Sequence, residues 1–354
     1  MSERRSSSSS SGVRDLADAV EEVGRLVWEA EVADIPPVGS GAVGVLGRWL
    51  DGADAGRAED ALLASYHLYD EDLLALVPAI ARWVGVESAA AHVQRLLGMV
   101  PVRRLRPVLV PVLAARLREE PDPDGPLHRA CTGLLERLGL EDEVRRLTDP
   151  DSHGTRTPPP EAPGEPGDGG AGPADEAPGG GEPADGKAGS ADEETIEQAV
   201  RWSAHFMRRA VVAAAPLAGD PDAVALLSQW LSTWSGEHDL DSLRAAYMFP
   251  DDDLLALVPA IVRWVDVDRV APHPRQLLCM LPVKELRPVL VPAVFSWLRE
   301  APEIDDLSWW SYADLLDDIG LEDEVRRIAD LALTHEDRLV RAMGKEIVED
   351  FLQD

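Results

Sequence analysis

The stretch DEDLLALVPAIARWV at residues 70–84 returns as DDDLLALVPAIVRWV at 251–265, changed only at Glu71/Asp252 and Ala81/Val262. In the first copy Leu73, Leu76, Val77, Ile80, Trp83 and Val84 recur at helical rather than strand spacing, so they share one face. Asp70, Glu71 and Asp72 stand just before that face, where carboxylates complement the positive end of a helix dipole. The spacing predicts an amphipathic helix with Asp70 as its N-cap. The three adjacent acids need no metal ion to account for them.

The likeness extends outward from this stretch. At a constant offset of 181, residues 70–146 and 251–327 share roughly 43 identities in 77 positions without a gap, which reads as two copies of one unit. LRPVLVP recurs at Leu105 and Leu286, and GLEDEVRR at Gly139 and Gly320. Upstream, Ala42, Val43, Leu46, Trp49 and Leu50 face Ala223, Val224, Leu227, Trp230 and Leu231, so each unit is about 130 residues long. Further helices are expected from His92 or Val93 to Val100, closed by Pro101, and along the stripe Leu105, Val108, Leu109, Val112, Leu113 and Leu117. Pro107 and Pro111 must start or kink the second of these, and two prolines four residues apart make a central strand improbable. Leu127, Leu134, Leu135 and Leu138 mark another helix ended by Gly139, Glu141 to Leu147 one further turn or helix, and Glu336 to Leu352 the last.

The fold class is therefore all-α, with six or seven short helices in each of two homologous modules, mostly as antiparallel hairpins. Helix pairs with proline-bearing first members, and the segment LGLEDEVRRL at 138–147, are similar in texture to HEAT-type and tetratricopeptide-like α-solenoids. A compact bundle is the other arrangement open to such hairpins. The expected divisions are a disordered N-terminus at 1–14, module 1 at 15–147, a linker at 148–194, module 2 at 195–330 and a C-terminal helix at 331–354. The linker is dominated by Pro, Gly, Ala, Asp and Glu, with almost no aliphatic side chains to offset its ordering entropy, so it reads as disordered. Its self-repulsion should keep the modules apart unless they have complementary faces.

Charge narrows the functions available. With 65 Asp and Glu against 34 Lys and Arg, the chain carries a formal charge of −31, which opposes the phosphate neutralisation that nucleic-acid binding requires. The Ser-rich start lacks the apolar core of a secretory signal, and no apolar run approaches a membrane span of about 18 residues. Cys131 and Cys279 are far apart and unmatched between the copies, so no disulfide framework or CxxC site arises. These features, with only three lysines, suggest a cytoplasmic protein of a GC-rich bacterium.

No GxGxxG, P-loop, HExxH, GxSxG or EF-hand spacing occurs, so no cofactor or metal is expected. Of eight histidines only His92 and His273 correspond; His67 is replaced by Met248, although its neighbour Tyr66 is retained as Tyr247. Arg82 and Arg106 match Arg263 and Arg287, and Arg145 and Arg146 match Arg326 and Arg327; these can fork onto carboxylates of the same chain or face an anionic ligand. Trp297, Trp309 and Trp310 replace Arg116, His128 and Arg129, and are candidates for partner contact or for packing against the C-terminal helix. The candidate partner-binding set is thus Trp297, Trp309, Trp310, Arg82, Arg106, Arg263 and Arg287. The expected function is that of a non-enzymatic interaction or scaffold protein, binding or inhibiting a basic protein such as a nuclease. The alternative is a helical-bundle enzyme with a metal- or anion-dependent site in each module.

Overall fold

The computed structural model describes residues 7–32, 40–52, 54–120, 122–148, 188–233, 239–267, 270, 272–300 and 306–352. Among these the chain is helical, with no strand. The first half holds α1 (Ser7–Glu31), α2 (Ser40–Asp51), α3 (Ala55–Ala64), α4 (Asp70–Ile80), α5 (Ala90–Met99), α6 (Val102–Glu119), α7 (Pro126–Arg137) and α8 (Glu141–Thr148). The second holds α9 (Ala188–Ala214), α10 (Pro221–Ser232), α11 (Asp239–Ala246), α12 (Asp251–Ile261), α13 (His273–Cys279), α14 (Val283–Glu300), α15 (Asp306–Asp318), α16 (Glu322–Leu333) and α17 (Arg338–Phe351).

Several expected boundaries move. Helix α1 begins inside the N-terminal segment expected to be disordered, and α9 takes up the last seven residues assigned to the linker, 188–194. The rest of the linker, 149–187, lies outside the described residues. Each half has eight helices rather than six or seven, with α17 following the second and α16 running across the 330/331 division. Tyr69, not Asp70, caps α4, and the three acids occupy its first turn.

Pro101 follows the end of α5, as expected, and the later prolines do not start their helices. Pro101 stands at the N-cap of α6, while Pro107 and Pro111 lie within it; Pro288 and Pro292 lie within α14. These four internal prolines are exposed, as are Pro78 within α4 and Pro259 within α12, and the buried face belongs to Leu105, Leu109 and Leu113 in α6 and to Leu286, Leu290 and Val294 in α14. A proline on the solvent side frees a carbonyl that water can satisfy, so the helix continues where a buried proline would break it. After α7 and α15, Gly139 (φ 72°) and Gly320 (φ 83°) reverse the chain. Leu140 donates to the Leu135 carbonyl and Leu321 to the Leu316 carbonyl, both at 2.8 Å, a 6→1 closure that needs the left-handed residue glycine supplies.

Just beyond α4 and α12 the chain tightens into single 3₁₀ turns at Ala81–Trp83 and Val262–Trp264. Trp83 Nε1 donates to the Leu50 carbonyl at 2.9 Å and Trp264 Nε1 to the Leu231 carbonyl at 2.7 Å, which ties each turn to the end of α2 or α10.

One continuous apolar core runs through both halves. Helix α1 packs against α9 and α11, α2 and α3 against α9, α5 against α13, and α6 against α15. Two glycines set the spacing of this seam. A Cβ at Gly24 of α1 would lie 2.5 Å from the Asp241 carbonyl oxygen of α11, and one at Gly98 of α5 would lie 3.1 Å from Met280 Cα. The halves thus possess the complementary faces that self-repulsion requires if they are to meet.

Candidate functional site

The matched arginines are spent within their own halves. Arg106 donates through Nε to Glu143 at 3.0 Å, and Arg287 through Nη2 to Glu324 at 3.0 Å. Both glutamates are buried in the first turns of α8 and α16, where Arg146 and Arg327 reach them as well, at 2.9 and 3.4 Å. Arg82 pairs with Asp51 at 2.9 Å on the surface. Arg263 donates to the Ser232 carbonyl at 3.3 Å and lies 4.8 Å from the ring centroid of Trp297. Arg106 and Arg287 thus hold the acid-rich starts of α8 and α16, while Arg82 and Arg263 reach the ends of α2 and α10.

The tryptophans of the second half lie beside the C-terminal elements. Trp309 is 4% exposed, with its ring 5.5 Å from that of His335 between α16 and α17. Trp310 is half-buried, 5.7 Å from Phe351 of α17, and Trp297 is half-buried under Arg263. Packing against the C-terminal helix therefore accounts for Trp309 and Trp310, and Trp309 offers no surface to a partner. His128 and Arg129 stand at the positions 181 residues earlier.

The seam between the halves is held by arginines with no matched counterpart. Arg137 of α7 donates to Asp251 Oδ2 and to the Met280 carbonyl, both at 2.6 Å, and Arg95 of α5 donates to the carbonyls of Tyr247 at 2.8 Å and Phe249 at 2.5 Å. Arg103 meets Asp317 at 3.4 Å in the same direction, and in the opposite direction Arg244 pairs with Glu31 at 2.7 Å and Arg208 binds Asp60. At the positions 181 away stand Gln276 for Arg95, Asp318 for Arg137 and Leu63 for Arg244.

A cleft of about 820 Å³ opens in this seam. Its walls come from α1 (Val27, Glu31), the turn before α4 (Tyr66 to Tyr69), the first turn of α4, Met207 of α9, Tyr247, and the start of α13 (His273, Gln276). The volume is within the range of small-molecule and side-chain pockets. Two Tyr–His pairs lie in or beside it at positions 181 apart: Tyr66 Oη to His92 Nδ1 and Tyr247 Oη to His273 Nδ1, each 3.2 Å. The recurrence of Tyr and His at this offset was legible in the sequence; the convergence of the pairs on one cleft was not.

Burial controls ionisation here. The His67 pKa is lowered to about 3 and that of His273 to about 4, first by loss of hydration and then by the neighbouring Arg244, with the His273 ring adding to the effect on His67. Both rings are neutral at pH 7. Burial also raises the Glu31 carboxyl, against the pull of Arg244, and raises the Asp70 carboxyl against Arg104. Asp70, Glu71 and Asp72 give the mouth a negative rim, with Arg104 at 3.9 and 3.8 Å from the first two. Among the described residues, no three His, Cys, Asp or Glu side chains stand close enough together to hold a metal ion.

His67 Nε2 is buried without a hydrogen-bond partner. A histidine held neutral in the fold but free to protonate when unfolded contributes stability above its unfolded pKa, near 6.5, and that contribution is lost as pH falls toward 3. His67→Met installs the residue found at the matched position, Met248. Urea unfolding of the two proteins should show the stability difference moving in favour of the variant by about 2–3 kcal/mol between pH 7 and pH 4.5. A difference that stays constant with pH would mean that His67 is not held neutral.

The sequence matches no protein-family model and no curated relative.

Proposed function

We propose that the chain is a non-enzymatic interaction protein for a basic protein partner, and that residues 15–147 and 195–330 are two copies of one unit joined along the arginine-rich seam. The observation that carries this reading is where the positive charge goes. The matched arginines and the seam arginines are committed to carboxylates, carbonyls or rings of the same chain. With the cations largely consumed internally, the acid excess behind the charge of −31 is left to the exterior, including the first turns of α4, α8, α12 and α16. A surface of one sign steers an oppositely charged partner and rejects nucleic acid. Among the described residues no helix is long and apolar enough to cross a membrane.

The test is capture on the immobilised full chain from a lysate of the native host, washed at low salt and at about 0.5 M, where screening shortens to a few ångströms. A basic protein retained at low salt and released at high salt is the expected result. An empty matrix at both salts, or a retained partner indifferent to salt, would overturn the reading.

A further inference from the structure

The cleft between the halves holds acceptors that meet no donor. Tyr247 has one hydroxyl proton, and it goes to Gln276 Oε1 at 2.7 Å. With the hydroxyl proton directed to Gln276, the nearer of its acceptors (the His273 carbonyl is at 3.4 Å), the 3.2 Å contact between Tyr247 Oη and His273 Nδ1 is satisfied by the tautomer that carries its proton on Nδ1, in which Nε2 is a bare lone pair. His273 Nε2 lies 3.7 Å from Glu31 Oε1. Arg244 is placed on the other oxygen, Glu31 Oε2, at 2.8 Å through Nε. Two acceptors thus face one another across the cleft without a hydrogen between them, and the unpartnered Nε2 of His67 belongs to the same wall. His67 Nε2 is the fully buried one of these atoms, and a buried acceptor is costly unless a donor completes it, whereas Glu31 and His273, 20% and 16% exposed, open onto the cleft.

We infer that this cleft is a binding site for an organic cation, an ammonium or guanidinium group whose N–H donors bridge Glu31 Oε1 and His273 Nε2. The rest of the cleft suits such a ligand. Glu31 supplies the counter-charge, and Asp70 to Asp72 rim the entrance through which a cation would be drawn. Tyr69, 61% exposed, offers an aromatic face at the mouth. An anion would meet three carboxylates there, and a neutral apolar ligand would leave the acceptors as they are. The group can arrive on a free amine or on a lysine or arginine side chain of a protein. The inference goes beyond the interaction surface proposed above, because a free cation would fill the site even if no basic protein partner existed.

Calorimetric titration of the full chain tests it with three probes: N-acetylarginine methylamide, its uncharged isostere N-acetylcitrulline methylamide, and 1,4-diaminobutane. At least one of the two cations should bind, and at least about tenfold more tightly than the citrulline compound. Preference for the arginine compound identifies a protein side chain as the source, and preference for the diamine identifies a free amine. Glu31→Gln should weaken the preferred cation by at least about tenfold. Asp142→Asn, which removes the same charge from the exposed outer side of α8, should leave binding unchanged. Because Glu31 also holds Arg244, Tyr69→Ala provides a variant at an exposed position that the fold does not need, with an expected loss of about two- to fivefold. Equal binding of arginine and citrulline compounds, full binding by both Glu31→Gln and Tyr69→Ala, or no binding of either cation would each overturn the assignment.

Discussion

Gly24→Val is expected to lower the unfolding free energy by about 3 kcal/mol, read as a fall in the urea midpoint at unchanged slope. On an isolated helix the substitution would be mildly favourable, since valine restricts the unfolded chain more than glycine does. In α1 the added Cβ meets the Asp241 carbonyl oxygen at 2.5 Å and Asp241 Cβ at 2.9 Å, so α1 or α11 must move. The obstacle is backbone rather than the end of a flexible side chain, and moving it also disturbs the Glu31–Arg244 pair in the same two helices. Gly44→Ala in α2 is the control of opposite sign. Its nearest neighbour would be Arg48 Nη1 at 3.7 Å, so the helix-propensity gain of up to about 1 kcal/mol is unopposed. If Gly24→Val unfolds at the same urea concentration as the parent, the close approach of α1 and α11 is not a determinant of the fold.

Arg137→Ala should cost about 3 kcal/mol in the same measurement. The guanidinium is 13% exposed and serves two groups of the other half, the Asp251 carboxylate and the Met280 carbonyl. Truncation leaves Asp251, itself 27% exposed, with only the more distant Arg95 at 3.7 Å, and leaves the carbonyl without this donor. The residual Arg95 contact places the loss near the lower end of what breaking a buried pair costs. Arg137→Lys should recover only part of it, because one ammonium cannot reproduce the two-pronged geometry. Arg106→Ala marks the contrast: Arg106 is about half exposed and Glu143 keeps Arg146 at 2.9 Å, so a loss under about 1 kcal/mol is expected. Equal losses at Arg137 and Arg106 would mean that the seam is no more than a surface contact.

The helices were legible because their signal is local. The 3.6-residue recurrence of Leu73, Leu76, Val77 and Ile80 and the acids before them place α4 within its first turn, and Gly139 marks the end of α7. The prolines left two arrangements open, a start or a kink, because sequence gives their identity but not the side of the helix on which they fall. Pro107 and Pro111 are harmless where they are exposed, and their exposure depends on which stripe the rest of the molecule covers. The same limit applied to Trp309 and Trp310, whose burial depends on α17 folding back beside them.

The sequence by itself determined the helical class, the positions of most helices and the excess of acid, since each follows from residues near one another or from a count. The tertiary structure alone decided that the two halves join, that Arg95, Arg137 and Arg244 hold them, and that Glu31, His67 and His273 share a cleft. Glu31 and His273 are separated by most of the chain, and pairing between such distant residues is set by how whole helix faces pack. Their role carries no local pattern, because the faces that bring them together are made of residues far apart in the chain.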